Sequence, residues 1–185
     1  MSNKVLLTGG AGYIGSVLTE LLLSKGYEVT VIDTFRFSEN SLNHLISNEN
    51  LFVLKMDVRA ISKEILNKQD FIIPLAAIVG APACKMYEEE ALTINKNAVL
   101  TILNNISDKQ KIIFPTTNSG YGTTSGDLYC DENTPLNPIS LYGKLKKEIE
   151  TTIMKRENAI CFRLATVFGV SPRHRRDLLV NDFVF

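Results

Sequence analysis

A glycine-rich run near the start of the chain constrains its fold more than any other feature. The run is TGGAGYIG at residues 8–15, and it satisfies both GxGxxG and TGxxGxxG. It follows an apolar segment of strand character and precedes a segment of helical spacing, the context that such a motif requires. Residues without a Cβ atom let the backbone turn tightly and approach a pyrophosphate, and N–H groups at a helix start can bind that anion. We therefore predict a dinucleotide-binding turn whose cofactor-binding residues include Gly9, Gly12, Tyr13 and Ile14.

Six short apolar runs alternate with segments long enough for helices. The runs are rich in Val, Ile and Phe, as expected of buried strands. They occupy residues 4–7, 28–32, 52–56, 71–75, 111–114 and 159–164. Because parallel strands require long crossovers that usually carry a helix, this alternation predicts an α/β fold. We expect a doubly wound parallel sheet, the Rossmann fold, with helices on both faces.

Asp33 ends the second predicted strand, about 20 residues after the glycines. A carboxylate at that place accepts hydrogen bonds from the adenosine ribose hydroxyls and repels a 2′-phosphate, which favours NAD over NADP. Arg36 follows closely and could accommodate that phosphate instead. We predict NAD as the cofactor, with NADP as the alternative.

Tyr142 and Lys146 form a YxxxK pair, which places both side chains on one face of a helix, one turn apart. An adjacent ammonium stabilises a phenolate, so Lys146 is expected to lower the pKa of Tyr142. Thr117 follows the fifth predicted strand, near the edge where open α/β sheets bind ligands, and its hydroxyl could hold a substrate alcohol. We predict that these three residues are catalytic. The alternative is an ordinary helix face beside a Ser/Thr-rich turn.

Charge and cysteine content argue against several other functions. Lys plus Arg and Asp plus Glu number 20 each, so no overall field favours nucleic acid or an anionic membrane as partner. The N-terminus has no signal-peptide layout and the chain has no long uncharged apolar span, so we expect a cytoplasmic protein. Cys84, Cys130 and Cys161 lack CxxC or His spacing, so we expect buried, inert thiols and no metal site.

Eight features together resemble the extended short-chain dehydrogenase/reductases, the family of nucleotide-sugar epimerases and dehydratases. The resemblance covers essentially the whole chain. In that family's order and approximate spacing, the features are TGGAGYIG at residues 8–15, Asp33, Asp57-Val58, Leu75-Ala76-Ala77, Asn95, Thr117, the YxxxK pair and RLATVFG at residues 163–169.

This resemblance implies roles for individual residues. The further cofactor-binding residues that it implies are Asp57, Val58, Leu75, Ala76, Ala77, Asn95, Tyr142 and Lys146. Asp57 and Val58 would flank the adenine, and Lys146 would bind the nicotinamide ribose. The implied reaction begins with hydride transfer to NAD from a sugar carbon, usually C4, while Tyr142 removes the hydroxyl proton and Thr117 orients the oxygen. The result would be a 4-keto sugar nucleotide.

Asn118 and Ser119 make one of the family's reactions, 4,6-dehydration, less favoured for this chain. The 4,6-dehydratases of this family carry Asp-Glu directly after the active-site Thr, where they act as acid and base for the loss of water. An amide and a hydroxyl cannot readily replace them, so we place dehydratase below dehydrogenase and epimerase. Asn118 and Ser119 remain candidate substrate-binding residues, together with Asn181, which lies where relatives contact the nucleotide.

The resemblance also implies a subgroup and an assembly. Residues 72–82, 117–122 and 162–173 look like a bacterial subgroup that includes a GDP-heptose 4-dehydrogenase of capsule synthesis. Helices around residues 88–104 and 142–155 form the dimer interface in many relatives, so the resemblance implies a homodimer. Basic residues near the C-terminus could reach a substrate diphosphate or form a solvated turn. These are Arg173, Arg175 and Arg176.

The last residues of the chain bear on its domain organisation. Residues 177–185 form an apolar, helical pattern with no cap or polar tail, so we expect the natural chain to continue beyond Phe185. We predict an NAD-binding Rossmann domain over residues 1–165 and the start of a substrate-binding region over residues 166–185. The C-terminal substrate domain is expected to be missing or incomplete.

Two functions follow from these features. The first is an NAD-dependent oxidoreductase that acts on a nucleotide-activated sugar, with an epimerase or, less favoured, a 4,6-dehydratase as alternatives. The second is a non-catalytic dinucleotide-binding protein, because Rossmann folds serve many purposes.

Overall fold

The computed structural model of the chain describes residues 3–123 and 129–184, and Phe185, the last residue of the predicted helical pattern, lies outside them. Six parallel strands form one sheet in the order β3-β2-β1-β4-β5-β6. They are β1 Lys4–Thr8, β2 Glu28–Asp33, β3 Leu51–Lys55, β4 Phe71–Pro74, β5 Lys111–Thr117 and β6 Ala159–Leu164. This order confirms the predicted doubly wound α/β fold.

Helices connect the strands. The α-helices are α1 Tyr13–Ser24, α2 Lys63–Leu66, α3 Ala81–Met86, α4 Glu88–Leu92, α5 Val99–Asn105, α6 Leu141–Ile153 and α7 Leu179–Val184. A π-helix, Thr93–Ala98, joins α4 to α5, and short 3₁₀ turns lie at Asn43–Leu45, Val58–Ala60 and Asn118–Gly120. The helical backbone between β4 and β5 therefore runs without a break from residue 88 to 105.

The fifth strand is longer than the sequence predicts. Its apolar run ends at Phe114, but β5 continues past Pro115 because its pairing with β6 extends to Thr117, which lies opposite Leu164. Thr117 is thus the last residue of a strand and is positioned by the sheet itself.

Two apolar clusters cover the two faces of the sheet. Side chains alternate along β1, so Leu6 lies in one cluster with α5 and α6, while Val5 and Leu7 lie in the other with α1. Each fully buried Leu contributes about 1.5–3 kcal/mol to stability. The strand order reverses between β1 and β4, and open α/β sheets bind ligands outside the carboxyl ends of strands at such a point.

The structure also bears on the predictions about the cysteines, membrane-spanning segments and metal sites. Cys84 is buried, Cys161 is partly buried and Cys130 is exposed, so the prediction of buried thiols is confirmed for Cys84 and was wrong for Cys130. Among residues 3–123 and 129–184, no helix has the length and apolar character needed to cross a bilayer. Within the same residues no cluster of His, Cys, Asp or Glu has the makeup of a metal site.

Candidate active site

The glycine run forms a turn in which backbone approaches backbone. Gly9 has a φ of +74° and donates its N–H to the carbonyl of Ile32 at 2.7 Å. A Cβ atom on Gly9 would lie 2.6 Å from the backbone nitrogen of Ala76. Only glycine can therefore bring the ends of β1, β2 and β4 together here.

The start of α1 packs onto the same turn. A Cβ atom on Gly15 would collide with the carbonyl oxygen of Gly9 and would lie 2.7 Å from the Cα atom of Gly10. Gly12 precedes α1, and no side chain of the described residues caps this helix. The first N–H groups of α1 therefore lie, without a side-chain cap, at a turn of tightly packed backbone, an arrangement that fits the pyrophosphate of a dinucleotide.

Asp33 ties the end of β2 to the glycine run. One carboxylate oxygen accepts the N–H of Ala11 at 3.0 Å and the other accepts the N–H of Phe35 at 2.8 Å. Phe35 has a φ of +57°, an unusual backbone conformation for a residue with a side chain. Each oxygen of Asp33 keeps a lone pair, so the carboxylate can still accept ribose hydroxyls as predicted.

Arg36 is engaged by other side chains. Its guanidinium forms an ion pair with Glu90 at 2.7 Å and lies 5.5 Å from the ring centre of Tyr87. A 2′-phosphate would have to compete with the Glu90 carboxylate, which would also repel it. The NADP alternative therefore gains no support from Arg36.

Thr117, Tyr142 and Lys146 meet at the carboxyl end of β5. Thr117 Oγ1 accepts the N–H of Ser119 at 3.1 Å and so begins the 3₁₀ turn Asn118–Gly120. Lys146 Nζ donates to the carbonyl of Pro115 at 2.9 Å. Tyr142 lies one helical turn before Lys146, as predicted.

Burial sets the protonation of the predicted acid–base pair. It raises the pKa of Tyr142 to about 12, with Cys84 adding to the increase and Arg175 opposing it. Burial also lowers the pKa of Lys146 to about 8. The expected fall in the pKa of Tyr142 is therefore not found, and Lys146 is not among the groups that shift this pKa. The ammonium lies 4.4 Å from the ring centre of Phe114 and 5.9 Å from that of Tyr142.

Gly143 is a site residue that the sequence reasoning missed. A Cβ atom on Gly143 would lie 3.0 Å from the carbonyl oxygen of Ser119 and 2.9 Å from Cβ of Pro138. Ser140 Oγ accepts the N–H of Gly143 at 3.1 Å and caps α6. Helix α6 can therefore begin directly against the turn after β5, and the glycine within the YxxxK pair was the available signal.

One cleft of about 1070 Å³ brings most of the predicted site residues together. Ligand pockets usually measure about 300–1,000 Å³, so this cleft is large. The predicted residues that line it are Gly9, Gly12, Tyr13, Ile14, Asp33, Asp57, Val58, Leu75, Ala76, Ala77, Thr117, Asn118, Ser119, Tyr142 and Lys146.

Asp57 lines the cleft with its charge already paired. Its carboxylate accepts the backbone N–H of Arg59 at 2.8 Å and forms an ion pair with the guanidinium of Arg59 at 2.7 Å. The side-chain hydrogen bond from Arg59 is the main reason that the pKa of Asp57 lies below its ordinary value. Asp57 thus also organises the 3₁₀ turn that carries Val58.

Asn95 and Asn181 do not line the cleft. Asn95 is buried in the π-helix, and its amide exchanges two hydrogen bonds of 2.8 Å with the backbone of Ile78. Asn181 accepts the N–H of Gly169 at 2.9 Å and donates to the hydroxyl of Tyr13 at 3.0 Å. In this structure both amides hold segments that border the cleft.

Comparison with known proteins identifies a family model that matches residues 5–183: the NAD dependent epimerase/dehydratase family. The chain is 32% identical over 150 residues to a UDP-N-acetyl-alpha-D-glucosaminuronate decarboxylase of Bacillus cytotoxicus, covering 80% of this chain and 44% of that protein. It is 34% identical over 197 residues to an uncharacterised UDP-glucose epimerase of Bacillus subtilis, covering 98% and 61% respectively.

Solved structures agree with these sequence matches. The UDP-glucuronic acid 4-epimerase of Bacillus cereus, in complex with UDP-glucuronic acid and NAD, superposes with a TM-score of 0.84 at 27% identity. The superposition covers 96% of this chain and 60% of that one. The chain thus spans about half of the length of the proteins that it matches.

Proposed function

The chain belongs to the NAD dependent epimerase/dehydratase family, and from that premise we propose that it forms the NAD-binding and catalytic part of an enzyme that modifies a nucleotide-activated sugar. The predicted cofactor, NAD, is confirmed at the level of the family. The observation that carries the proposal is the single cleft in which Thr117, Tyr142 and Lys146 face the glycine run.

We propose a separate role for each of three residues in the oxidation of the sugar. When bound, NAD supplies an acceptor for the hydride of a sugar carbon, which we propose to be C4. Tyr142, in its phenolate form, accepts the proton of the hydroxyl on that carbon and becomes a neutral phenol. Thr117 Oγ1 already accepts the N–H of Ser119, so its own proton is free to orient the same oxygen. Lys146, which is buried and hydrogen-bonded to the carbonyl of Pro115, would hold the nicotinamide ribose.

The phenol of Tyr142 begins protonated at neutral pH because burial raises its pKa to about 12. The fraction present as phenolate therefore grows with pH, and we expect proton removal to become faster toward alkaline pH. Arg175 assists, since its positive charge lowers the pKa of Tyr142.

We favour epimerisation through a transient 4-keto sugar over release of a ketone. Sequence relatives of this chain are named as an epimerase and a decarboxylase of UDP-sugars. Asn118 and Ser119 lie exposed in the cleft, where they can contact a sugar but cannot readily supply the acid and base of a dehydratase. The GDP-heptose 4-dehydrogenase subgroup remains a narrower hypothesis that rests on resemblance.

The test supplies NAD and one nucleotide sugar at a time to the enzyme of which the chain is proposed to be the NAD-binding and catalytic part. The sugars are UDP-glucose, UDP-glucuronic acid, UDP-N-acetylglucosamine and a GDP-heptose. Magnetic resonance of the sugar and absorbance of NADH report the outcome. An epimerase changes the sugar without lasting NADH, whereas a dehydrogenase accumulates NADH in proportion to product. Y142F should slow turnover by at least about 10²- to 10⁴-fold with unchanged affinity for NAD.

Two results would contradict the proposal. Full activity of Y142F would remove Tyr142 from the chemistry. Bound NAD with no reaction on any sugar of the panel would favour a non-catalytic dinucleotide-binding protein.

We also propose the domain division and the assembly that the sequence suggests. Residues 166–185 would begin the substrate-binding region, and residues of this segment such as Thr166 and Arg175 do line the cleft. A homodimer would use the helices of residues 88–105 and α6, which a 2.5 Å ion pair between Lys96 and Glu148 joins into one surface. Sedimentation of a stable monomer would refute the dimer.

A further inference from the structure

Residues 169–181 form a strap that lies across the start of α1. The hydroxyl of Tyr13 donates to the carbonyl of Gly169 at 2.7 Å and accepts the amide of Asn181 at 3.0 Å. Ser171 Oγ donates to the carbonyl of Tyr13 at 2.7 Å. One residue of the glycine run therefore holds both ends of the strap and a third residue near its start.

Arg173 lies in the middle of the strap and lines the cleft. Its guanidinium carbon is 4.6 Å from the ring centre of Phe37, which follows β2 and also lines the cleft. The strap and Phe37 thus approach each other across the nucleotide end of the cleft.

Arg173 differs from the other arginines in the cleft in that no carboxylate of the described residues pairs with its charge. Three of them form ion pairs with carboxylates: Arg36 with Glu90, Arg59 with Asp57, and Arg175 with Asp177. Within the part of the chain that the structure describes, Arg173 has no carboxylate at ion-pair distance. Burial and the neighbouring charge of Arg175 lower the pKa of Arg173, and the charges of Asp177 and Asp33, which lie beyond ion-pair distance, oppose this in part.

An anion in the cleft would complete this arrangement. A partly buried cation without a carboxylate at ion-pair distance is less well stabilised than a paired one, and a bound anion supplies the missing ion pair. The uncapped start of α1, to which the strap is hydrogen-bonded, also favours negative charge. A guanidinium offers two parallel N–H donors that match phosphate oxygens.

We propose that Arg173 binds the pyrophosphate of NAD opposite the N-terminus of α1, so that the strap held by Tyr13 is part of the cofactor site. The proposal rests on the proposed function, since it requires that the chain bind NAD. The diphosphate of a nucleotide sugar has the same chemistry, and the experiment must separate the two.

Calorimetric titration of the full chain with NAD, in the absence of any sugar, tests the charge. R173Q should raise the Kd for NAD about 10- to 100-fold, the effect of losing a charged hydrogen bond, and R173K should lose less. R176Q is the matched control, because Arg176 lies in the same strap but is exposed and outside the lining of the cleft. Unchanged NAD binding by R173Q, or an equal loss in R176Q, would overturn the proposal.

Smaller ligands identify the phosphate. R173Q should weaken the binding of ADP as much as that of NAD, and it should leave the binding of adenosine unchanged. A loss seen for UDP or GDP, with NAD unaffected, would overturn the proposal and assign Arg173 to the nucleotide sugar.

A double-mutant cycle tests the strap. Y13F removes the hydrogen bonds to Gly169 and Asn181 that hold the strap. If the strap acts by positioning Arg173, Y13F should weaken the binding of NAD less in the R173Q background than in the unsubstituted chain. Additive losses would overturn the role of the strap, and thermal unfolding without ligand checks that each variant is folded. Failure of the unsubstituted chain to bind NAD would refute the proposed function as well, whereas the R173Q results refute only this inference.

Discussion

We call the part of the cleft that we propose to bind the nucleotide the nucleotide half and the part that we propose to carry out the chemistry the catalytic half. The two halves are built by different means. In the nucleotide half, defined by residues 8–15 and Asp33, missing Cβ atoms and backbone hydrogen bonds determine the geometry. In the catalytic half, defined by Thr117, Tyr142 and Lys146, burial of polar side chains determines both position and protonation. The first half can be recognised from local sequence, whereas the second depends on what packs around it.

The largest expected loss of stability concerns an ion pair between two elements next to the catalytic half. Arg163 on β6 and Glu150 on α6 form a buried ion pair at 2.7 Å, with side chains 19% and 8% exposed. R163M leaves the carboxylate without its partner and should lower the free energy of unfolding by about 3–5 kcal/mol. Urea denaturation measures this loss. The double variant R163M/E150Q should recover part of it, and a loss below about 1 kcal/mol would mean that the pair behaves as a surface salt bridge.

Lys146 should make the catalytic half sensitive to pH. Its pKa is about 8 in the folded protein against an ordinary value of 10.5, so the unfolded chain binds more protons between these values. The penalty for burying the ammonium is full below pH 8 and disappears as pH rises to 10.5. The free energy of unfolding should therefore gain on the order of 3 kcal/mol across this window.

K146M isolates this contribution, because the variant lacks the titrating group. At pH 7 the gain in unfolding free energy of K146M over the unsubstituted chain should be largest, because the unsubstituted chain then bears the full cost of burying an ammonium. At pH 10 this gain should be smaller. A difference that does not change with pH would show that Lys146 is not desolvated.

Gly15→Ala tests the backbone packing of the nucleotide half. The new methyl group would collide with the carbonyl of Gly9, and overpacking of this kind costs about 1–3 kcal/mol. NAD binding should weaken at the same time because the turn must shift. Gly12→Ala, whose methyl group would lie 3.0 Å from the same oxygen, should cost less stability; an equal cost would argue against close packing at Gly15.

The smallest expected effect concerns the cap of α6. S140A removes the acceptor for the N–H of Gly143 and should cost about 1 kcal/mol in chemical denaturation. S140D keeps an acceptor at that position and should retain the stability of the unsubstituted chain. Equal losses in both variants would point to packing of the serine itself.

Local motifs predicted the strands, the turn and the cleft, but not every side-chain role. Asn95 belongs to a pattern that resembles cofactor-binding residues, yet its amide binds the backbone of Ile78 because the π-helix turns it inward. The pKa of Tyr142 was expected to fall beside Lys146. It rises instead, because burial disfavours the phenolate, while the ammonium of Lys146 is hydrogen-bonded to the carbonyl of Pro115.

The sequence by itself determined the sheet, the glycine turn and the presence of Thr117, Tyr142 and Lys146, since periodicity and missing Cβ atoms act over a few residues. Only the tertiary structure decided which charges are paired and which are not. Arg36 and Arg173 are both arginines near the cleft, but Glu90 pairs with the first, while the strap carries the second to Phe37. Desolvation and ion pairing depend on neighbours that are distant in the chain, which no local pattern contains.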